Sequence, residues 1–474
     1  MDLTEALTFD DVLLVPKRSG ITTRKDVDTA AQFSRNILLS IPIASANMDT
    51  VTEANMAIAM AREGGIGIIH RFMTIEHQVA EVIRVKRSES FMIEKPHTLD
   101  ISSTLKEAHN LMQTHGIGGL LVVRNDKLSG ILTKRDMIFE NDMNKPVSEI
   151  MTRFENIIAA PPGLHSEEYR KILKENKIEK LPIVDSEKRL CGLVTSKDIL
   201  KKEKYPFSSK DKKGRLIVGA AIGVKNDYLQ RAETLINAGA DVIVIDIAHG
   251  HSDMCIETVK NFRDSFGNHE LIAGNVATAA GCEDLIRAGA DSVKVGVGGG
   301  SVCTTRIITG AGIPQLTAII DCANIAAEYG VPIIADGGIK NSGDITKAIA
   351  AGCSSVMCGN LFAGTEESPG MTLIKNGRKY KIYRGMAGFG ASMARKEREN
   401  NTDDISSIVP EGVESLVPYK GSIYEVLHQL IGGLRSGMSY CGARNVKELQ
   451  QNAKFVKITK HGLRESHAHD VESI

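Results

Sequence analysis

One thiol stands at the end of a bend that is almost all glycine. Residues 296–306 read Gly-Val-Gly-Gly-Gly-Ser-Val-Cys-Thr-Thr-Arg, with Cys303 flanked by Ser301, Thr304, Thr305 and Arg306. Four glycines in five residues let the backbone turn tightly and come close to a ligand. Hydroxyls and a cation beside a thiol favour the thiolate, the nucleophilic form, so Cys303 is a candidate for covalent catalysis. The competing reading is a small apolar residue packed under a turn, and the loop alone divides evenly between them.

The surroundings must decide. Five more polar residues, Asn47, Asp246, Asn275, Asp336 and Asn360, stand where short apolar runs end. Those runs cover 41–48, 241–246, 271–275, 331–338 and 354–360, and further strands are expected at 64–70, 215–222 and 290–295. Between them lie segments with helical spacing, at 52–63 and 232–238 and before Gly289. Ala-Gly-Ala-Asp closes two helices and Ala-Gly-Cys-Ser a third, each just ahead of a strand, as a glycine cap requires. Alternating strand and helix, about eight times, predicts an α/β chain folded as a TIM (β/α)8 barrel. Its catalytic face lies at the C-terminal strand ends, where the six polar residues gather. Asp336-Gly337-Gly338 and Gly359-Asn360, on the last strands, suit a phosphate held by backbone N–H groups. His249 and His251 follow Asp246, but no third ligand stands at metal spacing, so they read as polar residues of a loop mouth.

At about residue 92 the character changes. Residues 120–136 overlay on 181–198, with Gly130, Thr133 and Asp136 in the first copy answering Gly192, Thr195 and Asp198 in the second. Each copy is a hairpin followed by a helix start, which makes a pseudo-symmetric module. Its Thr-x-x-Asp ending caps that helix or grips a ribose. The expected division is barrel at 1–91, module at 92–203 (about 92–147 and 148–203), and barrel with flap and tail at 204–474.

Bulk composition excludes several classes. Lys+Arg and Asp+Glu are 58 each, so no net charge recruits nucleic acid or an anionic membrane. No apolar run approaches the roughly 18 residues of a membrane span, and the first residues do not form a signal peptide. Eight cysteines without Cys-x-x-Cys spacing suit a reducing, cytoplasmic setting.

Gly-Gly-Gly-Ser-Val-Cys-Thr-Thr-Arg, Ile-Ala-Asp-Gly-Gly-Ile, Phe-Ala-Gly-Thr-Glu-Glu-Ser-Pro-Gly, Tyr-Arg-Gly-Met and Gly-Leu-Arg-Glu-Ser-His resemble the IMP dehydrogenase/GMP reductase family over essentially the whole chain. The repeat resembles a tandem cystathionine-β-synthase (Bateman) module, which implies purine nucleotides such as ATP or GTP bound near Thr133, Asp136, Thr195 and Asp198. The resemblance implies that Cys303 attacks the purine C2 of GMP or IMP, with Thr305 managing protons, through a thioimidate. Ser45, Met48, Ser301, Asp336, Gly337, Gly338, Met357, Gly359, Asn360, Tyr383, Gly385, Met386 and Ala387 match positions that hold the nucleotide. Asp246, Asn275, Gly296, Val297 and Gly298 match positions facing the dinucleotide. Carbonyls of Gly298, Gly300 and Cys303, with Glu465, Ser466 and His467 of a neighbouring subunit, match a potassium site of many dehydrogenases. Homotetramers associating into octamers are implied as well.

Within the family, dehydrogenases oxidise IMP with NAD+ and must then hydrolyse the thioimidate, using a flap with a Gly-Ser-x-x-Arg-Tyr motif. Reductases expel ammonia from GMP and take hydride from NADPH. Here residues 385–401 contain no Gly-Ser, and no tyrosine stands between Tyr383 and Tyr419. Arg395 and Arg398 sit among Glu397 and Glu399 like a solvated helix face. Ile247 occupies a position that is Ser or Thr in most dehydrogenases and aliphatic in reductases. GMP reductase is therefore the expectation, with IMP dehydrogenase the alternative and a catalytically silent nucleotide sensor a third. Short reductases carry a glutamate just after Gly-Met, where this chain has Gly388-Phe389-Gly390, so Glu411 is the candidate partner of Thr305; the competing reading of Glu411 is a surface turn.

Overall fold

The computed structural model describes residues 3–89, 92–94, 96–196, 204–225, 227–388 and 409–468. Asp198 and the flap segment 389–408, including Arg395 and Arg398, lie outside them. The chain divides into two units, Met1–Ser88 with Phe207–Asp211 and Leu216–Ile474, and Glu89–Pro206 with Lys212–Arg215.

The first unit is a closed barrel of eight parallel strands, as the alternating pattern predicts. In chain order they are β1 (Ile43–Ser45), β2 (Ile66–Ile69), β3 (Gly219–Ile222), β4 (Val242–Asp246), β5 (Glu270–Val276), β6 (Ser292–Val295), β7 (Ile333–Asp336) and β8 (Ser355–Cys358). The helices that follow them are α1 (Ala54–Arg62), α2 (Ile75–Ser88), α3 (Tyr228–Ala238), α4 (Asp253–Phe266), α5 (Ala279–Ala288), α6 (Gln315–Glu328), α7 (Ser342–Ala350) and α8 (Ile423–Tyr440). Most strands are shorter than the apolar runs suggest, because the runs include the turns at each end, whereas β5 and α3 extend beyond the expected 271–275 and 232–238. Gly239 and Gly289 close α3 and α5 with φ of 101° and 117°, values that a β-carbon disfavours.

Strand alternation sorts the barrel residues into two cores. Ile66, Ile68, Val242, Val244, Ile272, Ile334 and Met357 fill the interior. Ile243, Ile245, Leu271, Val293, Val295, Ile333 and Val356 face outward and pack with the helices. At the N-terminal end of the barrel a hairpin, Ala31–Ser34 with Ile37–Leu39, packs on β5, β7 and β8. Its Phe33 and Leu39 are fully buried in the interior core, closing that end. Among the described residues, the plug leaves the opposite end of the barrel to build a site. Among the described residues no helix is long and apolar enough to cross a membrane.

The second unit contains the repeat. Gly119–Arg124 pairs with Lys127–Thr133, and Lys180–Val184 pairs with Leu190–Thr195, each hairpin with one bulge at the equivalent position. Edge pairings are exchanged between the copies. Thr152 and Arg153, which lead into the second copy, pair with Ile131 and Gly130 of the first. Ile93, which precedes the first copy, pairs with Leu193 of the second.

Removing the plug of the barrel tests its weight. Phe33→Ala is expected to cost about 3–5 kcal/mol, since the hairpin backbone cannot collapse into the space. The check is the fall in the thermal or urea denaturation midpoint; a change of under about 1 kcal/mol would mean the hairpin merely rests on the barrel.

Candidate active site

The alternation that fills the barrel with apolar side chains also carries polar ones inward at its open end. Positions 242, 244 and 246 share the interior face of β4, 292 and 294 that of β6, and 334 and 336 that of β7. Asp246, Lys294 and Asp336 therefore converge. Lys294, 2% exposed, donates from Nζ to Asp246 Oδ1 at 2.6 Å and Asp336 Oδ2 at 2.7 Å, and also to Asn275 Oδ1. Asn275 Nδ2 donates in turn to Asp336 Oδ2 at 3.0 Å and Gly296 O at 2.8 Å. Burial opposes the charge on Lys294, but the two carboxylates outweigh it and raise its pKa. Burial also opposes the charge on Asp246 most strongly, yet Lys294, with Arg71 and Asn47, holds that carboxyl below its ordinary range.

Gly274 makes the reach possible. It lies in register between Asp246 and Lys294. A Cβ there would stand 2.6 Å from the Lys294 carbonyl oxygen and 2.7 Å from Lys294 Cβ. With no side chain at that point, the lysine crosses β5 to the carboxylate on β4.

Cys303 sits half-buried on the loop after β6, its N–H donating to Gly300 O at 3.1 Å. Its Sγ lies 3.1 Å from Thr305 Oγ1, which donates to Glu411 Oε2 at 2.8 Å. The backbone holds this row in place. Thr304 N–H donates to Glu411 O at 2.8 Å, Val413 N–H to Val302 O at 3.0 Å, and Glu411 N–H to Ala387 O at 2.9 Å. Gly385 N–H donates to Val413 O at 3.1 Å, so three segments distant in sequence meet around one thiol.

The remaining nucleotide positions from the sequence cluster around them. Tyr383 is buried, with its hydroxyl 3.8 Å from Met48 Sδ and bonded to Ser301; burial pushes its phenol up to about 12. A Cβ on Gly359 would meet that hydroxyl at 2.9 Å and Met48 Sδ at 3.1 Å, so Gly359 lies against both. Gly337 and Gly338, with φ of 95° and 80°, turn the chain sharply after Asp336 and bring it against Gly299 and Gly300. Met357 and Ser45 are buried in β8 and β1, and Ser45 Oγ accepts from Thr52 at 2.8 Å. Met386 Sδ accepts from Asp49 N–H at 3.3 Å, and Ala387 is exposed beside it. Asn360 opens the short helix Asn360–Ala363, and its carbonyl accepts from Lys420 at 2.8 Å. Gly296, Val297 and Gly298 form the turn that leaves β6.

Of the remaining expected residues, the cation beside the thiol meets a different geometry, and the others take places compatible with the sequence reading. Arg306 turns away from the thiol, donating from Nε to Val297 O at 3.1 Å and from Nη2 to Ile313 O at 2.5 Å. Two orphan carbonyls of the loop claim the guanidinium, and Thr305 is the thiol's hydrogen-bond partner. Thr133 and Asp136 engage each other, Asp136 Oδ2 accepting from Thr133 N–H at 2.7 Å and Oγ1 at 2.8 Å, which is a helix cap. Thr195 ends the matching strand of the second copy. Glu465, Ser466 and His467 are exposed at the end of the helix Lys460–Glu465, which packs on residues 9–11. His251 bonds to Asp284 at 3.0 Å.

Three further contributors carry no assignment from the sequence motifs. Lys294 was visible as a lone cation inside an apolar strand, a signal that a buried partner must exist. Gln315, at the start of α6, donates to Val295 O at 2.9 Å and Asp336 O at 3.1 Å, tying β6 to β7 beyond their ladder. Arg384 donates from Nε to both oxygens of Asp49, at 2.9 and 3.2 Å, and anchors the strand Arg378–Arg384 to the loop after β1.

An IMP dehydrogenase / GMP reductase domain model matches residues 6–469. An inosine-5'-monophosphate dehydrogenase of Nitrosopumilus maritimus is 55% identical over 476 residues, covering 99% of each chain. A GMP reductase of Leishmania donovani is 49% identical over 484 residues, covering 100% of this chain and 98% of that one. The crystal structure of a Trypanosoma brucei GMP reductase variant in complex with guanosine 5'-monophosphate superposes with a TM-score of 0.93 at 48% identity, over 99% of each chain.

The eight thiols are all free, and they are not equivalent. Burial, with the Asp246 charge behind it, pushes Cys255 up to about 11. Burial raises Cys353, Cys358 and Cys441 too, and Cys322 is raised first by its hydrogen bond with Cys282. Only Cys303 and Cys191 are partly exposed. Brief treatment with iodoacetamide at about pH 8 should therefore label Cys303 and Cys191 first, as read by peptide mass spectrometry. Native-state labelling of Cys353 or Cys358 as fast as Cys303 would contradict the burial described.

Proposed function

The chain belongs to the IMP dehydrogenase / GMP reductase family, and on that premise we propose that it is a GMP reductase, converting GMP to IMP and ammonia with NADPH. Cys303 Sγ adds to C2 of the guanine base. The thiol proton passes through Thr305 Oγ1 to Glu411 as the carbon–sulfur bond forms, and returns by the same path to the exocyclic amine, which departs as ammonia when its bond to C2 breaks, giving the thioimidate. Reduced nicotinamide, when bound, supplies the hydride that C2 receives. Loss of the thiolate from that carbon then frees IMP and returns Cys303 to its resting contact with Thr305. Asp246 and Asp336 each keep about a fifth of their side chain exposed (21% and 22%) and only accept hydrogen bonds, chemistry that fits sugar hydroxyls of a dinucleotide and a nucleotide.

The direction rests on one observation: between Gly385 and Val413 there is no Gly-Ser and no tyrosine, so a dehydrogenase's means of activating water is missing from the sequence. Ile247 supports it, an aliphatic side chain packed against the barrel core where a hydroxyl would serve a dehydrogenase. Under the same reading the repeat unit binds purine nucleotides as regulators and the protein assembles as a tetramer or octamer. The identity of 55% to an inosine-5'-monophosphate dehydrogenase favours the second reading, oxidation of IMP with NAD+.

A paired assay separates the two. GMP with NADPH should lose absorbance at the reduced-nicotinamide band, while IMP with NAD+ should gain little; brisk formation of XMP with GMP untouched would reverse the assignment. Cys303→Ala should lower turnover by several orders of magnitude. Glu411→Gln should lower kcat roughly 10²-fold while leaving GMP affinity within a few-fold, and normal turnover would remove Glu411 from the proton path.

A further inference from the structure

An ammonium has three N–H donors, and Lys294 spends all three on Asp246, Asp336 and Asn275. It is almost wholly buried and has no donor left for a ligand. Each carboxylate, by contrast, gives one oxygen to the lysine and keeps part of its surface at the barrel mouth. Gly274 clears the path across β5, and Gln315 fixes the backbone at Val295 and Asp336. A single cation thus sits between two carboxylates from strands three positions apart around the barrel.

We propose that Lys294 is a positioning residue that sets Asp246 and Asp336 together, so that the dinucleotide and nucleotide subsites share one anchor. The proposal rests on the reading of those two aspartates given above. Without the ammonium the carboxylates would repel each other and rotate apart, and the pocket would carry one more negative charge toward ligands that are themselves anionic. Loss of Lys294 must then weaken both ligands at once, whereas loss of either aspartate weakens one.

Steady-state kinetics on three purified variants tests this. Asp246→Asn is expected to raise the KM for the dinucleotide, and Asp336→Asn that for the nucleotide. Lys294→Met is expected to raise both, each roughly 10- to 100-fold, with partial recovery in Lys294→Arg. A Lys294→Met enzyme that melts at lower temperature with both KM values unchanged, or that raises only one of them, overturns the proposal. If Lys294→Met does not fold, Lys294→Met/Asp246→Asn removes one of the stranded carboxylates. Its nucleotide KM must still exceed that of Asp246→Asn alone, and equality overturns the proposal. Should the enzyme prefer IMP and NAD+, the same comparison is made with that pair, so an error of reaction direction leaves this test intact.

Discussion

A charge buried at the mouth of the barrel governs the site. Lys294 enters on an apolar strand, where an unpaired ammonium would cost several kcal/mol, so its presence compels partners to converge on it. Two carboxylates and an amide do so, from the three other strands β4, β5 and β7. Breaking any one contact removes part of the compensation of an ammonium that water barely reaches. The strand ends are consequently fixed relative to one another by electrostatics as well as by the ladder.

Around that fixed floor, Cys303, Thr305 and Glu411 are held by backbone rather than by side-chain packing. The loop of Cys303, the turn after Tyr383 and the strand approach at Glu411 exchange N–H and C=O bonds in a small irregular sheet. Thr305 then needs only its hydroxyl to join thiol and carboxylate. Such an arrangement lines up thiol, hydroxyl and carboxylate without burying any of them deeply. A half-exposed thiol stays accessible to solutes.

Much of this was legible in the sequence because barrel strands carry local signals. Gly239 and Gly289 announced helix ends, and Asp246, Asn275 and Asp336 announced strand ends, each from its immediate neighbours. The closed eight-stranded barrel follows from their regular recurrence. What could not be read were partnerships spanning long stretches of chain. Arg384 finds Asp49 335 positions away, and Lys294 finds Asp246 at 48. Arg306 shows the same limit: its type suggests a cation near the thiol, but its hydrogen bonds go to the carbonyls of Val297 and Ile313. The hairpin that closes the barrel is not legible in the sequence because Phe33 and Leu39 lack any repeat to flag them.

The exchanged edges of the repeat unit have an evolutionary and practical corollary. Because Ile93 bridges to the second copy and Thr152 and Arg153 pair with the first, each copy takes an edge pairing from the segment leading into the other. Neither copy is a self-contained cassette. Deleting one would leave the survivor with an open sheet edge, prone to recruit strands from other molecules. The pair can therefore be gained, lost or transplanted only as a whole, with cuts outside both copies.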